Sequence, residues 1–171
     1  HKYIVFPEVL PEVKSEVLEY LKESPFIKFK PNADISVAFS YARGNEQQFV
    51  YKWKTDHLGF KNMEIVSKLN QVEIVAIGDS FVEGMGVAVE DTWPSILSTN
   101  GFLTYNLGVQ GYAPTQFEGS FKKYGLKLKP KYVIIGYLST IFTREEAFLN
   151  DKIKRTISRR LFKGGISSFA T

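Results

Sequence analysis

The chain has 171 residues, a net charge of +4, ordinary hydrophobic (44%) and charged (23%) content, no cysteine and two histidines. That length suits one domain with a core large enough to fold without covalent staples. The composition excludes disulfides and thiolate metal sites and makes a histidine-rich metal site improbable, and no run approaches the ~20 apolar residues of a membrane span.

In chain order, Pro11 suits a first helical position, and Val13, Val17, Tyr20 and Leu21 form a helical stripe. The spacing therefore predicts an amphipathic helix from Glu12 to Glu23, stopped by Ser24-Pro25. Alternation of Ile35, Val37 and Phe39, and again of Phe49, Tyr51 and Trp53, predicts short strands joined through Arg43-Gly44-Asn45. Residues 63–72 read as a connector. The expected division is 1–62, an N-terminal helix and short-strand segment, followed by 63–171, an α/β domain.

From Glu73 the pattern is regular. Strand Glu73–Ile77 runs into Gly78-Asp79-Ser80. Asp91 or Thr92 can cap a helix that opens at Trp93-Pro94 and stops at Asn100-Gly101. Strand Thr104–Asn106 leads into Leu107-Gly108-Val109-Gln110-Gly111-Tyr112. Thr115 is expected to cap a helix bearing Phe117, Phe121 and Tyr124 on one face, and strand Tyr132–Gly136 follows. Thr143-Arg144-Glu145-Glu146 fits a capping box before a helix with Ile153, Ile157 and Leu161 at four-residue spacing. Alternating strands and helices with short connections predict a parallel α/β sheet.

In such sheets ligands bind beyond the carboxyl ends of the strands. Three exits then converge, offering Ser80, Gly111 and Leu138-Ser139-Thr140. Ser80 is placed as a nucleophile. A Gly111 amide can approach a ligand closely because no Cβ intervenes. Taken alone, Gly-Asp-Ser also suits a plain strand-to-helix turn, since Asp and Ser cap helices well. His57, the only internal histidine, is either a general base for Ser80 or a loop residue. The second reading is favoured because His57 precedes the nucleophile strand. A basic cluster of Lys152, Lys154, Arg155, Arg159, Arg160 and Lys163 reads as a solvated helix face rather than a nucleic-acid or lipid site. A phosphate-binding reading of Gly78, Gly84 and Gly86 lacks a Walker lysine and a dinucleotide fingerprint.

Ile77-Gly78-Asp79-Ser80-Phe81 with Gly84 and Gly86, followed by Asn106-Leu107-Gly108-Val109-Gln110-Gly111-Tyr112, resembles the SGNH (GDSL-type) hydrolases, a family of esterases, lipases and acyltransferases. The resemblance covers roughly residues 54–142. Thr55–Phe60 is similar to bacterial members with an N-terminal extension. The resemblance implies a flavodoxin-like three-layer αβα fold around a parallel sheet, incomplete at its C-terminal end here. It also implies Ser80 as nucleophile and oxyanion N–H donor, and Gly111 as a second N–H donor. Thr140 stands where the family has an oxyanion asparagine, either substituting for that donor or capping a loop. The implied substrate is a small-molecule or glycan acyl ester. No cofactor, metal, nucleic acid or membrane span is implied. The compartment is open, with the bacterial envelope or secretion favoured.

The family's Asp-x-x-His, which supplies the base, is absent, and no histidine follows Ser80. The expectation is therefore an N-terminal part of a longer protein, with an inactive SGNH-like binding module as the alternative.

Overall fold

The computed structural model describes residues 17–40, 48–139 and 141. The expected turn at 43–45, Thr140, the helix after Thr143 and the basic cluster lie outside the described residues, as does most of the first expected helix.

Of that first expected helix only 17–23 is described, and there Val17 is helical while the residues after it are not. Leu18–Tyr20 is a strand (β1) paired antiparallel with Ile27–Phe29 (β2), Leu18 opposite Phe29. The helical stripe is overridden by tertiary packing, because pairing buries both Leu18 and Phe29 in the core. It also sets Glu19 beside Lys28, whose ammonium lies 2.6 Å from the carboxylate. A second hairpin joins Asp34–Ser40 (β3) to Gln48–Lys54 (β4), with Ile35 opposite Trp53. Ile35, Tyr51 and Trp53 turn to the same core, and Phe29 meets the Trp53 ring edge to face at 5.0 Å. The connector contains one short helix, Glu64–Ser67 (α1).

The remainder is α/β. Ile74–Gly78 (β5) is the central strand of a three-stranded parallel sheet, between Thr104–Asn106 (β6) and Tyr132–Gly136 (β7). Every residue of β5 is buried, as its unbroken apolar run requires. A one-turn helix, Ser80–Glu83 (α2), follows β5 directly. Trp93–Thr99 (α3) is capped by Thr92, whose hydroxyl accepts the Ser95 N–H at 3.3 Å. Pro114–Ser120 (α4) starts two residues earlier than the sequence suggests, so Thr115 lies inside it. Ala113 occupies the N-cap position, Pro114 fills a position that needs no N–H, and Gln116 accepts the Ala113 N–H at 3.0 Å. α4 widens into a π-turn at Phe121–Gly125 and tightens over Leu126–Leu128. β7 is unlike β5, since Tyr132 is 62% and Ile135 54% exposed.

Three glycines at the strand exits allow α2 to sit against the sheet. A Cβ on Gly78 would fall 2.2 Å from a Val82 methyl, one on Gly136 would fall 2.5 Å from the same methyl, and one on Gly108 would fall 2.4 Å from the Glu83 nitrogen. The Gly108 neighbour is backbone, which cannot swing aside. Gly108→Ala is therefore expected to lower unfolding stability by about 1–3 kcal/mol through overpacking. Urea denaturation would check this, and a change within about 0.5 kcal/mol, typical of exposed positions, would show the contact to be loose.

Candidate functional site

β5 ends at Gly78, and the chain turns at once into α2. Asp79 is fully buried and caps that helix, its carboxylate accepting the Phe81 N–H at 3.1 Å. Its backbone carbonyl accepts the Val82 and Glu83 amides. The Ser80 carbonyl accepts Gly84 and Met85 N–H groups, which closes the turn. Gly84 does so at φ 80°, a left-handed conformation that favours glycine. Ser80 itself stands partly exposed at the start of the helix. Asp79 thus shapes the loop, and its burial beneath α2 keeps it from serving as a surface acid.

The second exit is held to the first by side chains and backbone together. Asn106 closes β6, donates to the Val82 carbonyl at 2.9 Å and accepts the Gly108 N–H at 2.8 Å. The Val109 N–H reaches the Gly78 carbonyl at 3.2 Å, and the Tyr112 N–H returns to the Val109 carbonyl. The Gln110 N–H is taken by the Glu83 carboxyl at 2.5 Å. Of the five consecutive amides from Gly108 to Tyr112, only that of Gly111 lacks an acceptor among the described residues. Gly111 is buried and adopts φ 81°, which favours glycine at this turn. The Ser80 N–H and hydroxyl are likewise without a hydrogen-bond partner among the described residues.

The structure therefore puts Ser80 and Gly111 on loops tied directly to one another. Thr140 lies outside the described residues, and its neighbour Ser139 is exposed. His57 is exposed on the turn after β4 and has no hydrogen bond or ion pair among the described residues. It is not joined to Ser80 in any way.

Several buried polar residues that support these loops were not singled out from sequence. Asp56 accepts the Leu58 and Phe60 amides, the Asn62 side-chain amide at 3.0 Å and the Tyr105 hydroxyl. Asn62 brackets the Asn106 peptide, accepting its N–H at 2.7 Å and donating to its carbonyl at 3.0 Å. Lys61 is 1% exposed. Its ammonium lies 5.2 Å from the Tyr51 and Trp53 ring centres and donates to the Gly84 and Val87 carbonyls at 2.8 and 2.6 Å. Glu83 is 2% exposed. No local pattern in the sequence marks them, because Lys61, Asn62 and Glu83 each have a partner more than twenty residues along the chain.

Burial pushes the Glu83 carboxyl up to about 7, partly offset by the Gln110 N–H and the attraction of Lys61. Burial pulls Lys61 down to about 8, partly offset by Glu83 and Glu90. Among the described residues, no group of three His, Cys, Asp or Glu side chains could hold a metal ion, and no helix is long and apolar enough to cross a membrane. Chemically, these tied loops offer a free Ser80 hydroxyl and two open N–H donors, groups of the kind that add to a carbonyl and hold the charge that develops.

No protein-family model matches this sequence, and no solved structure matches it. Among curated proteins, the Protein translocase subunit SecA 1 of Rhodopirellula baltica is 25% identical over 143 residues, which is 74% of this chain and 12% of the translocase subunit. The chain spans that small share of its relative's length, and the likeness assigns it no family.

A carboxyl raised from 4.5 to about 7 by folding holds its proton more tightly in the native state. Its contribution to stability is full below the unfolded value and is lost as pH rises through the folded one. Wild-type stability is thus expected to fall relative to Glu83→Gln between about pH 4.5 and 7, then run parallel. Denaturation curves across this range would check it, and a constant difference throughout would show that Glu83 is not perturbed.

Proposed function

We propose that this chain carries the nucleophile and oxyanion side of a serine-dependent ester hydrolase or O-acyltransferase of SGNH type, built on a three-layer αβα fold. Its substrate would be an acyl ester on a carbohydrate or lipid. The observation that carries the reading is that the Ser80 hydroxyl and the Ser80 and Gly111 amides all lack partners among the described residues, on loops tied together at the exits of adjacent parallel strands.

In this reading the Ser80 oxygen attacks the acyl carbonyl carbon while its proton passes to a general base. The carbonyl π pair moves to oxygen, and the Ser80 and Gly111 N–H groups receive that oxyanion. Preorganised amide donors of this kind each contribute ~10²–10³ in rate. Collapse of the tetrahedral adduct expels the alcohol, which takes the proton from the base and leaves the acyl group on Ser80. Water completes a hydrolase, and an acceptor hydroxyl completes an acyltransferase. Thr140 is the candidate third donor, with one hydroxyl hydrogen in place of an amide. No described residue, His57 included, hydrogen-bonds to the Ser80 hydroxyl as a base would. The family resemblance gives that role to the histidine of an Asp-x-x-His.

The second reading, an inactive SGNH-like module that binds a glycan or partner, is favoured by the lack of any hydrogen-bond partner on the Ser80 hydroxyl among the described residues. A fluorophosphonate probe separates the two. The hydrolase reading expects a covalent adduct on Ser80, located by peptide mass, and background labelling in Ser80→Ala. Equal labelling of the two proteins, or none on Ser80, overturns it in favour of the binding module.

A further inference from the structure

We propose that Glu83 is a positioning residue for the Gly111 amide, its buried carboxyl acting as a proton-sensitive latch on the loop that presents that donor. The inference rests on the oxyanion role proposed above for Gly111 and adds how that role is regulated.

Glu83 ends a one-turn helix whose first residue is Ser80. Its carboxyl has a single hydrogen-bond partner among the described residues, the Gln110 N–H at 2.5 Å. An interior carboxyl is costly to keep, and a single neutral amide compensates it poorly. Lys61 does not neutralise it by contact, since its ammonium is spent on the Gly84 and Val87 carbonyls. The carboxyl is therefore unexplained as a stabiliser. Its effect is local: it holds the peptide immediately before Gly111. Val109 is tied to Gly78 on one side, and Tyr112 is tied back to Val109 on the other. With the Gln110 N–H held as well, Gly111 is left at φ 81° with its own N–H open.

A carboxylate accepts an amide N–H more strongly than a neutral carboxyl does, so the hold on Gln110 tightens when Glu83 ionises. The charged and titratable groups acting on it come from every side. Lys61, after β4, favours the ionised form, whereas Asp79 beneath α2 disfavours it. Tyr51 on β4 and Tyr112 in the loop also feel the Glu83 charge, and Glu90 acts on Lys61. Burial brings the carboxyl's titration to about 7, so the latch changes state near neutral pH. As pH rises through that range, the loop becomes more firmly held.

The test is amide NMR on the ¹⁵N-labelled chain, free of any assumption about the reaction. The Gln110 amide proton is expected to move downfield with a midpoint near 7, and Glu83→Gln is expected to abolish that titration while keeping Gln110 slow to exchange. Glu83→Ala is expected to speed Gln110 exchange about 10- to 100-fold, the size of one charge-assisted hydrogen bond, and to shift the Gly111 resonance. A Gln110 amide that does not titrate, or titrates equally in Glu83→Gln, overturns the proposal, as does a folded Glu83→Ala with unchanged Gln110 exchange. If Glu83→Ala does not fold, the comparison of wild type with Glu83→Gln decides alone. Fluorophosphonate labelling run in parallel separates the two claims. Titrating amides without Ser80 labelling sink the hydrolase and leave the latch, while Ser80 labelling with silent amides does the reverse.

Discussion

The candidate site depends on how closely a single turn of helix can approach the ends of three parallel strands. Val82 fills the gap, and the glycines at the exits, Gly78, Gly108 and Gly136, leave it room. The same approach lets the Asn106 side chain reach the Val82 carbonyl and the Glu83 carboxyl reach Gln110. A larger residue at any of these exits would push α2 outward, and the serine at its start would move with it. The position of Ser80 is thus a packing property before it is a chemical one.

A second support lies beneath the loops. Asp56, just past the N-terminal hairpins, is bonded to Asn62 and to Tyr105 on β6, and Asn62 in turn brackets Asn106. Lys61, two residues past Gly59, grips the glycine-rich segment after Ser80 from between two rings of β4. Residues that precede the sheet by sequence are therefore built into the floor of the site. Asp56, Asn62 and Lys61 each meet hydrogen-bond partners in this floor, the condition for burying such groups, whereas the buried Trp53 Nε1–H meets none among the described residues. Such a network also discriminates among packings, since a slip of β6 by one residue would leave Asn62 and Asn106 unpaired.

Much of the parallel sheet was legible because its signals are local. The apolar run Glu73–Ile77 ends in a glycine, Thr92 precedes Trp93-Pro94, and Asn106 precedes a loop with two glycines. These patterns report strands, caps and exits directly. The N-terminal hairpin was not legible, because Val17, Tyr20 and Leu21 satisfy a helical period while Leu18 is claimed by Phe29 eleven positions on. Pairing across a turn leaves no local trace in composition. The polar floor escaped for a similar reason. Asp56, Lys61 and Glu83 look like ordinary surface residues until the fold encloses them, and only the enclosed geometry shows which amide or carbonyl each one meets. The placement of Ser80 and Gly111 after neighbouring strands was legible too, because those strands are marked locally.

β7 returns as a different kind of fact. It is an edge of the described sheet, and Tyr132, Val133, Ile134 and Ile135 all show substantial apolar surface. Strand edges with β-branched and aromatic side chains are templates on which other chains add, and proteins ordinarily blunt them with charge, proline or a covering element. Lys131 stands only at the strand's entrance, where it reaches toward Glu73 at 3.6 Å. The central strand that leads to Ser80 therefore has, among the described residues, a neighbour whose outer edge is unpaired and whose apolar side chains face outward.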